Sequence, residues 1–371
     1  MSYSAGELSP EGRTHWKRSG HAALLAGIEN GSPEGVCVSM KQRLPLVGEV
    51  LVDAGDVRFT GLHRGPLRLN PPSTEETHIM GRYSRLQEIR RMDPARDCAE
   101  ILRLMSQYEF PWDYRQGISI AFLRDYGVPR ISVLLDRTQE FERNGQKRYD
   151  DTVLFGYEMA AEGFESERAR AAARHLNRIH GRYRIPNEDY LYVLATTVVG
   201  PKRWIDRFGW RPLCAQEAGA LAEVGRRMAA MMGIEGAPDT YEGFEELLDA
   251  YEERMFAYDP ANRRVANATF RVMAAWYPAP LRPLVARLSL ALLDEPLLGA
   301  LGFPEQPRWA RAAAVRLVRA RSRGVRLLPA RPRWLPSRPR PRSYPFGYEL
   351  DDLGPHWAQN RPLESLPMEK S

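Results

Sequence analysis

ESERARAAARHLNRIHGRYRIPNEDY, residues 165–190, decides the fold class. Ser166 follows Gly163-Phe164-Glu165 as an N-cap, and Glu167 puts a carboxylate in the first turn. Gly181 and Pro186 lie where such a helix has to stop. At about 100° per residue, His180 shares a face with Ala169, Ala173, Leu176 and Tyr183. That face is small and apolar, so it is expected to point inward. His175 falls on the opposite side, among Arg174, Arg178 and Arg182, and is expected to face water. A lone histidine on an apolar face is most often a core residue with its polar atoms satisfied. The same placement above small residues, with room for a flat body beside the ring, is also what an axial haem ligand needs.

The helical period recurs on both sides of this segment. SRLQEIRRM and DPARDCAEILRLMSQYEF read as helices, the second opening on the pair Asp93-Pro94. FPWDYRQGISIAFLRDYG, PRISVLLDRTQEFERNG and a helix over about 146–162 follow. NEDYLYVLATTVVGPKRWIDRFG is apolar nearly all round and should be central. Further helices are predicted over 214–232, 240–258, 260–277, 279–302 and 307–323. PLVARLSLALLDEPLLGALGF, cut by Arg287, Asp294, Glu295 and Pro296, reads as two buried helices and a bend. No uncharged apolar run of about 18 residues is present, so a spanning helix is not expected. No alternating strand series and no repeat stands out, and the class is all-α. Residues 1–75, rich in Gly, Pro and Ser, read as an irregular leader with room for a short hairpin near VGEVLVDAG. The predicted organisation is this leader, a helical domain over 76–305, and a basic helix with a proline-rich tail over 306–371.

The formal charge of +6 hides a split. Between Arg308 and Arg342 there are twelve arginines, no lysine and no acid, so the rest of the chain carries a net of −6. A mildly acidic body with one basic arm is not the pattern of a uniformly basic nucleic-acid binder. Cys37, Cys98 and Cys214 are widely spaced and odd in number, which fits neither a disulfide framework nor a zinc site. Cys214 has no histidine nearby in sequence to activate it as a nucleophile. The N-terminus MSYSAGELSPEGRTHW carries acids where a secretory signal needs a basic start and an apolar middle. The expected location is cytoplasmic, with or without peripheral membrane association.

GQKRYDDTVLFGYEMAAEG, residues 145–163, is the second informative stretch. On a helix, Arg148, Thr152, Phe155 and Met159 share one face. An arginine in an apolar stripe needs an anion or a route out to water. It meets an internal acid or snorkels out, or it binds an acidic group in a pocket, such as a haem propionate or a substrate carboxylate. Thr152, one turn on, reaches the same space. Asp150 and Asp151 are explained by the dipole of the helix start.

RYDDT, NRIHGRYRIPNEDYLYVL and PKRWIDRFGWRPL, with the closing YPFGYELDDLG, resemble the MpaB and rubber oxygenase (latex clearing protein) family over about residues 80–350. The motifs look closer to the MpaB branch. The resemblance implies a globin-like helical core with additional peripheral helices, holding one haem b. The axial ligand of the iron corresponds to His180, and the Arg-x-x-x-Thr of the pocket to Arg148 and Thr152. Rubber-cleaving members carry a lysine just before that threonine, where this chain has Asp151. The implied activity is a haem-dependent oxygenase that uses O2 on the C=C bond of an unsaturated, lipophilic, isoprenoid-like molecule. A haem-binding sensor or electron-transfer protein, and a helical interaction protein without haem, are the rival classes. Asn187 is a candidate cap for the central helix, and Tyr190 or Tyr192 is in reach of the pocket. Trp204, Trp210 and Arg211 fix the turn between helices, a propionate contact from Arg211 being the lesser alternative.

The basic arm has three readings. Arginines with Trp309 suit an anionic membrane surface. As a nucleic-acid arm it offers only Trp309, Trp334 and Tyr344 for stacking, and no nucleic-acid partner is expected. As a strap it would wrap the acidic body, which its continuation into YPFGYELDDLG favours.

Overall fold

The computed structural model describes residues 81–359. The leader assigned to residues 1–75, its hairpin and Cys37 lie outside the described residues. Fourteen α-helices follow in order, with no strand among the described residues: α1 Ser84–Ile89, α2 Pro94–Leu104, α3 Pro111–Asp125, α4 Pro129–Thr138, α5 Glu140–Arg143, α6 Gly145–Ala160 and α7 Glu167–His180. The rest are α8 Asn187–Phe208, α9 Ala215–Met232, α10 Tyr241–Met255, α11 Pro260–Ala275, α12 Arg282–Leu292, α13 Glu295–Ala300 and α14 Arg308–Leu327. The all-α class is thus observed.

The starts are set by short polar side chains. Asp93 accepts from the Ala95 N–H at 3.0 Å, Ser166 from Ala169 at 3.1 Å, and Asp259 from Ala261 at 2.7 Å. A π-helical turn, Met105–Glu109, joins α2 to α3 and keeps Tyr108 and Glu109 buried. The tract 283–303 departs from expectation. α13 is buried through Leu297 and Leu298, but α12 buries only Ala291. The bend at Asp294-Glu295-Pro296 turns α13 into the core, whereas α12 lies across α11 and α14 with its first turn in water.

The central helix is α8, packed on α3, α9 and α10. Its buried side chains, from Tyr192 and Val199 to Ile205 and Phe208, form the middle of the largest apolar cluster, as an all-round apolar sequence requires. α3 and α8 touch backbone to backbone. A Cβ on Gly117 would come within 2.4 Å of Pro201 Cα and 2.8 Å of Pro201 N. Pro201 leaves one helical hydrogen bond of α8 unmade at this crossing. We predict that Gly117→Ala lowers stability by at least about 2 kcal/mol, because neither backbone can yield without moving the other helix. A denaturation midpoint within error of the parent would remove the packing argument.

Candidate functional site

α7 ends on His180, opposite the start of α8 and beside α6. The His180 ring lies 5.4 Å from the Tyr190 ring, centroid to centroid. Its Nδ1 is buried with no hydrogen-bond partner. A buried polar atom without a partner is uncommon and calls for an explanation. Burial first, and the Arg148 charge second, push the His180 pKa down to about 4. The imidazole is therefore neutral around neutral pH, which is the protonation state of a metal ligand.

Arg148 and Thr152 are brought together by the i, i+4 spacing of α6. The guanidinium donates to Thr152 Oγ1, and the same hydroxyl donates to the Arg148 carbonyl at 2.9 Å. Arg148 also lies 5.3 Å over the Phe141 ring, and among the described residues no carboxylate is within ion-pair distance of it. The internal acid that would satisfy it in an ordinary core is missing. Asp125, at the end of α3, feels the Arg148 charge without pairing with it, and its buried carboxyl is pushed well above the usual range by desolvation. Thr196 of α8 donates to Asp125 Oδ1 at 3.0 Å. Asp125 and Thr196 were not singled out from sequence. The available signals were an acid closing the apolar run ISIAFLRD and a threonine pair inside an otherwise apolar helix.

Other site expectations are corrected. His175 does not face water: it is 6 % exposed, Nε2 is 2.9 Å from the Leu353 carbonyl, and the ring stacks on Phe155. The C-terminal segment covers what the helix alone would leave open. Asp150 and Asp151 sit in the second turn of α6, past the reach of the helix start. Asp150 accepts from the Ser343 N–H at 2.9 Å. Asp151 accepts from Lys147 at 2.7 Å, from the Gly354 N–H at 3.1 Å and from the Tyr344 hydroxyl. Asp151 is thus part of a latch for the C-terminal segment. Asn187 does not cap α8, which starts after Pro186; its amide exchanges two 2.9 Å hydrogen bonds with the backbone of Glu235. Tyr192 is held away from His180 by bonds to the Arg124 carbonyl and Glu252. Arg211 is engaged by both Glu217 oxygens, at 2.7 and 2.8 Å, and by Glu109 at 3.3 Å, and Trp210 Nε1 donates to the Glu109 carbonyl. The turn-fixing reading of Trp210 and Arg211 is the observed one: both terminal nitrogens of Arg211 are spent on Glu217 and Glu109, while its buried Nε has no partner among the described residues.

The segment after α14 lies against the helical body. Arg85 and Tyr108 donate to the carbonyls of Arg331 and Arg333, at 2.8 and 3.0 Å, and the Ser337 N–H donates to Gln107 at 3.0 Å. Farther on, Tyr348 and Arg168 share Glu158. The strap leaves a cleft at the outer face of α7, lined by Arg168, Ala171, His175 and Glu349–Asp351. Burial holds the Cys214 thiol pKa up, against a role as nucleophile. Among the described residues no three His, Cys, Asp or Glu side chains gather as a metal site. No helix among them is long and apolar enough to cross a membrane.

The low pKa of His180 makes a prediction. Between about pH 6.5 and pH 4 the unfolded chain binds a proton that the folded site refuses, so stability falls as pH drops through that window and levels off below it, by up to about 3 kcal/mol. Urea midpoints of the protein without added ligand should fall less over this range for His180→Gln than for the parent. Parallel curves would show that the ring titrates as in the unfolded chain.

The family described as ER-bound oxygenase mpaB/B'/Rubber oxygenase, catalytic domain, matches residues 126–326. The chain is 30% identical over 229 residues to ER-bound oxygenase mpaB' of Penicillium brevicompactum, covering 57% of this chain and 54% of that protein. It is 33% identical over 199 residues to ER-bound oxygenase mpaB of the same organism, covering 48% and 51%. To ER-bound oxygenase mpaB of Penicillium roqueforti (strain FM164) it is 27% identical over 227 residues, covering 56% and 76%. The chain spans about half the length of the two Penicillium brevicompactum proteins. Arg148, Thr152 and His180 all fall inside the matched family span.

Proposed function

From the premise that the chain belongs to the mpaB and rubber oxygenase family, we propose that it is a haem b-dependent oxygenase acting on an unsaturated, lipophilic, isoprenoid-like small molecule. The observation that carries this reading is the half-buried, neutral imidazole of His180, whose buried Nδ1 has no partner among the described residues. A core histidine would have its polar atoms satisfied. When bound, haem would supply the activation of O2 for oxygenation or cleavage of a C=C bond.

The chain's own residues would act as follows. His180 would be the iron ligand, available without first losing a proton. Arg148, a permanent cation without a carboxylate partner among the described residues, would hold an acidic group such as a propionate through charge-assisted hydrogen bonds. Thr152 positions Arg148, because its hydroxyl hydrogen is committed to the Arg148 carbonyl while its oxygen accepts from the guanidinium. Tyr190 limits the space beside the His180 ring. The buried Asp125 carboxyl, pushed well above the usual range by desolvation and oriented by Thr196, would hold a proton more readily than an exposed carboxylate. For location we propose the cytoplasmic side of a membrane, held peripherally, in keeping with the words ER-bound in the names of the relatives.

The test is a pyridine haemochrome of the purified, haem-reconstituted protein, followed by oxygen uptake with an oligo-isoprenoid. A b-type spectrum with substrate-dependent uptake and carbonyl products is expected. Colourless protein would end the haem reading. Haem without uptake on any unsaturated lipid would leave the sensor or electron-transfer class in its place.

A further inference from the structure

The inner side of α14 is well anchored. Val315, Val318 and Val325 pack on the largest apolar cluster, Ser322 donates to the Phe208 carbonyl, and Arg321 pairs with Asp113 at 2.8 Å. The outer side is different. Arg316, Arg319, Arg323 and Arg326 are exposed there, interleaved with Trp309 at 76% exposure and Leu327 at 86%. At about 100° per residue, Trp309, Arg316, Arg323 and Leu327 lie along one line of the helix surface. The adjoining α12 exposes Leu284 next to Arg282, and Leu281 just before it is exposed as well.

This face lacks counter-charges. Of the twelve arginines between Arg308 and Arg342, ion pairs bind Arg311 to Glu295, Arg321 to Asp113 and Arg333 to Glu88. Among the described residues the other nine meet no carboxylate within ion-pair distance. Arg207, at the end of α8, has its pKa lowered by partial burial and then by Arg319 and Arg311, so like charges are gathered rather than dispersed. The strap does not neutralise them, since it docks through carbonyls, Ser343 and two tyrosines.

We propose that the outer face of α14, with the exposed end of α12, docks on an anionic lipid bilayer. The arginines would lie at headgroup phosphates, and Trp309 and Leu327 would enter the headgroup–acyl boundary, as on an interfacial amphipathic helix. Leucines decide against nucleic acid: an aliphatic side chain gives nothing to a phosphate and cannot stack on a base. Arginines alone would fit either polyanion, but arginines alternating with protruding Trp and Leu fit lipid. The inference rests on the membrane placement proposed above and is independent of haem.

The experiment is sedimentation of the full chain with phosphatidylcholine vesicles, with and without phosphatidylserine, at low and high salt. Each arginine near an anionic surface contributes about fivefold in partitioning. The variant R316Q/R319Q/R323Q/R326Q should therefore lose nearly three orders of magnitude, about 600-fold, of binding to the anionic vesicles, with its thermal transition unchanged. W309S/L327S should bind at low salt and be released by high salt more readily than the parent. No preference for anionic over neutral vesicles overturns the proposal. So does equal binding by the quadruple variant, whose retained binding would then belong to another part of the chain. Binding to duplex DNA without binding to vesicles overturns it as well. None of these readouts involves the spectrum or oxygen uptake, so failure here and failure of the oxygenase reading are separate results.

Discussion

His180→Ala will purify without a Soret band and will not gain one on reconstitution with haem, whereas His175→Ala will keep it. The first substitution removes the proposed iron ligand. The second breaks the 2.9 Å contact to the Leu353 carbonyl and the stack on Phe155, so its effect should be on the strap. We expect His175→Ala to lower stability by about 1–3 kcal/mol, the range for stripping a buried acceptor of its partner, while the pyridine haemochrome still reads b-type. The pair of variants separates ligation from folding, since both histidines lie on α7 within six residues. Normal haem spectra in His180→Ala would remove the axial assignment and the function built on it.

Glu109→Ala will be the most destabilising single substitution outside the site. Glu109 is 2 % exposed and lies between Arg85, at 3.1 Å and fully buried, and Arg211, at 3.3 Å. Arg211 in turn holds Glu217 at 2.7 Å, so two cations and two anions form a closed network in the interior. Removing one member leaves buried charge uncompensated, which costs about 3–5 kcal/mol. Glu109→Gln keeps the volume and one acceptor and should lose less. Urea unfolding with an unchanged slope would measure both, and a loss under about 1 kcal/mol for Glu109→Ala would show that water or Glu217 alone satisfies the arginines. The same network explains the RWIDRFGWRPL stretch: Trp210 and Arg211 end α8 by reaching back to the π turn, about a hundred residues earlier.

Much of the site was legible because helical period is a local property. Arg148 and Thr152 are four residues apart, so a helix must bring them together, and it does. His180 stood on the small apolar face of α7 and is found half-buried, with its Nδ1 out of water. Asp125 was not legible, because its neighbours Thr196 and Arg148 come from two other helices. No spacing within ISIAFLRD distinguishes a buried aspartate from one that reaches solvent.

The amino-acid sequence by itself did not determine the break at Gln139 between α4 and α5, or the start of α8 without an Asn187 cap. It did determine most of the helices, the Asp93 and Ser166 caps, the central place of α8, and the division into an acidic body and an arginine arm. These follow from periodicity, capping chemistry and charge count, each of which is settled within a few turns of chain. Only the tertiary structure decided what lies against each helix face. It buried His175, put Asp150 and Asp151 to work as a latch for residues 343–354, and left Trp309 and Leu327 outside. The physical reason is that a helical pattern fixes the direction of a side chain from its own axis, while the environment in that direction is supplied by segments up to some two hundred residues away, such as Gly354 against Asp151.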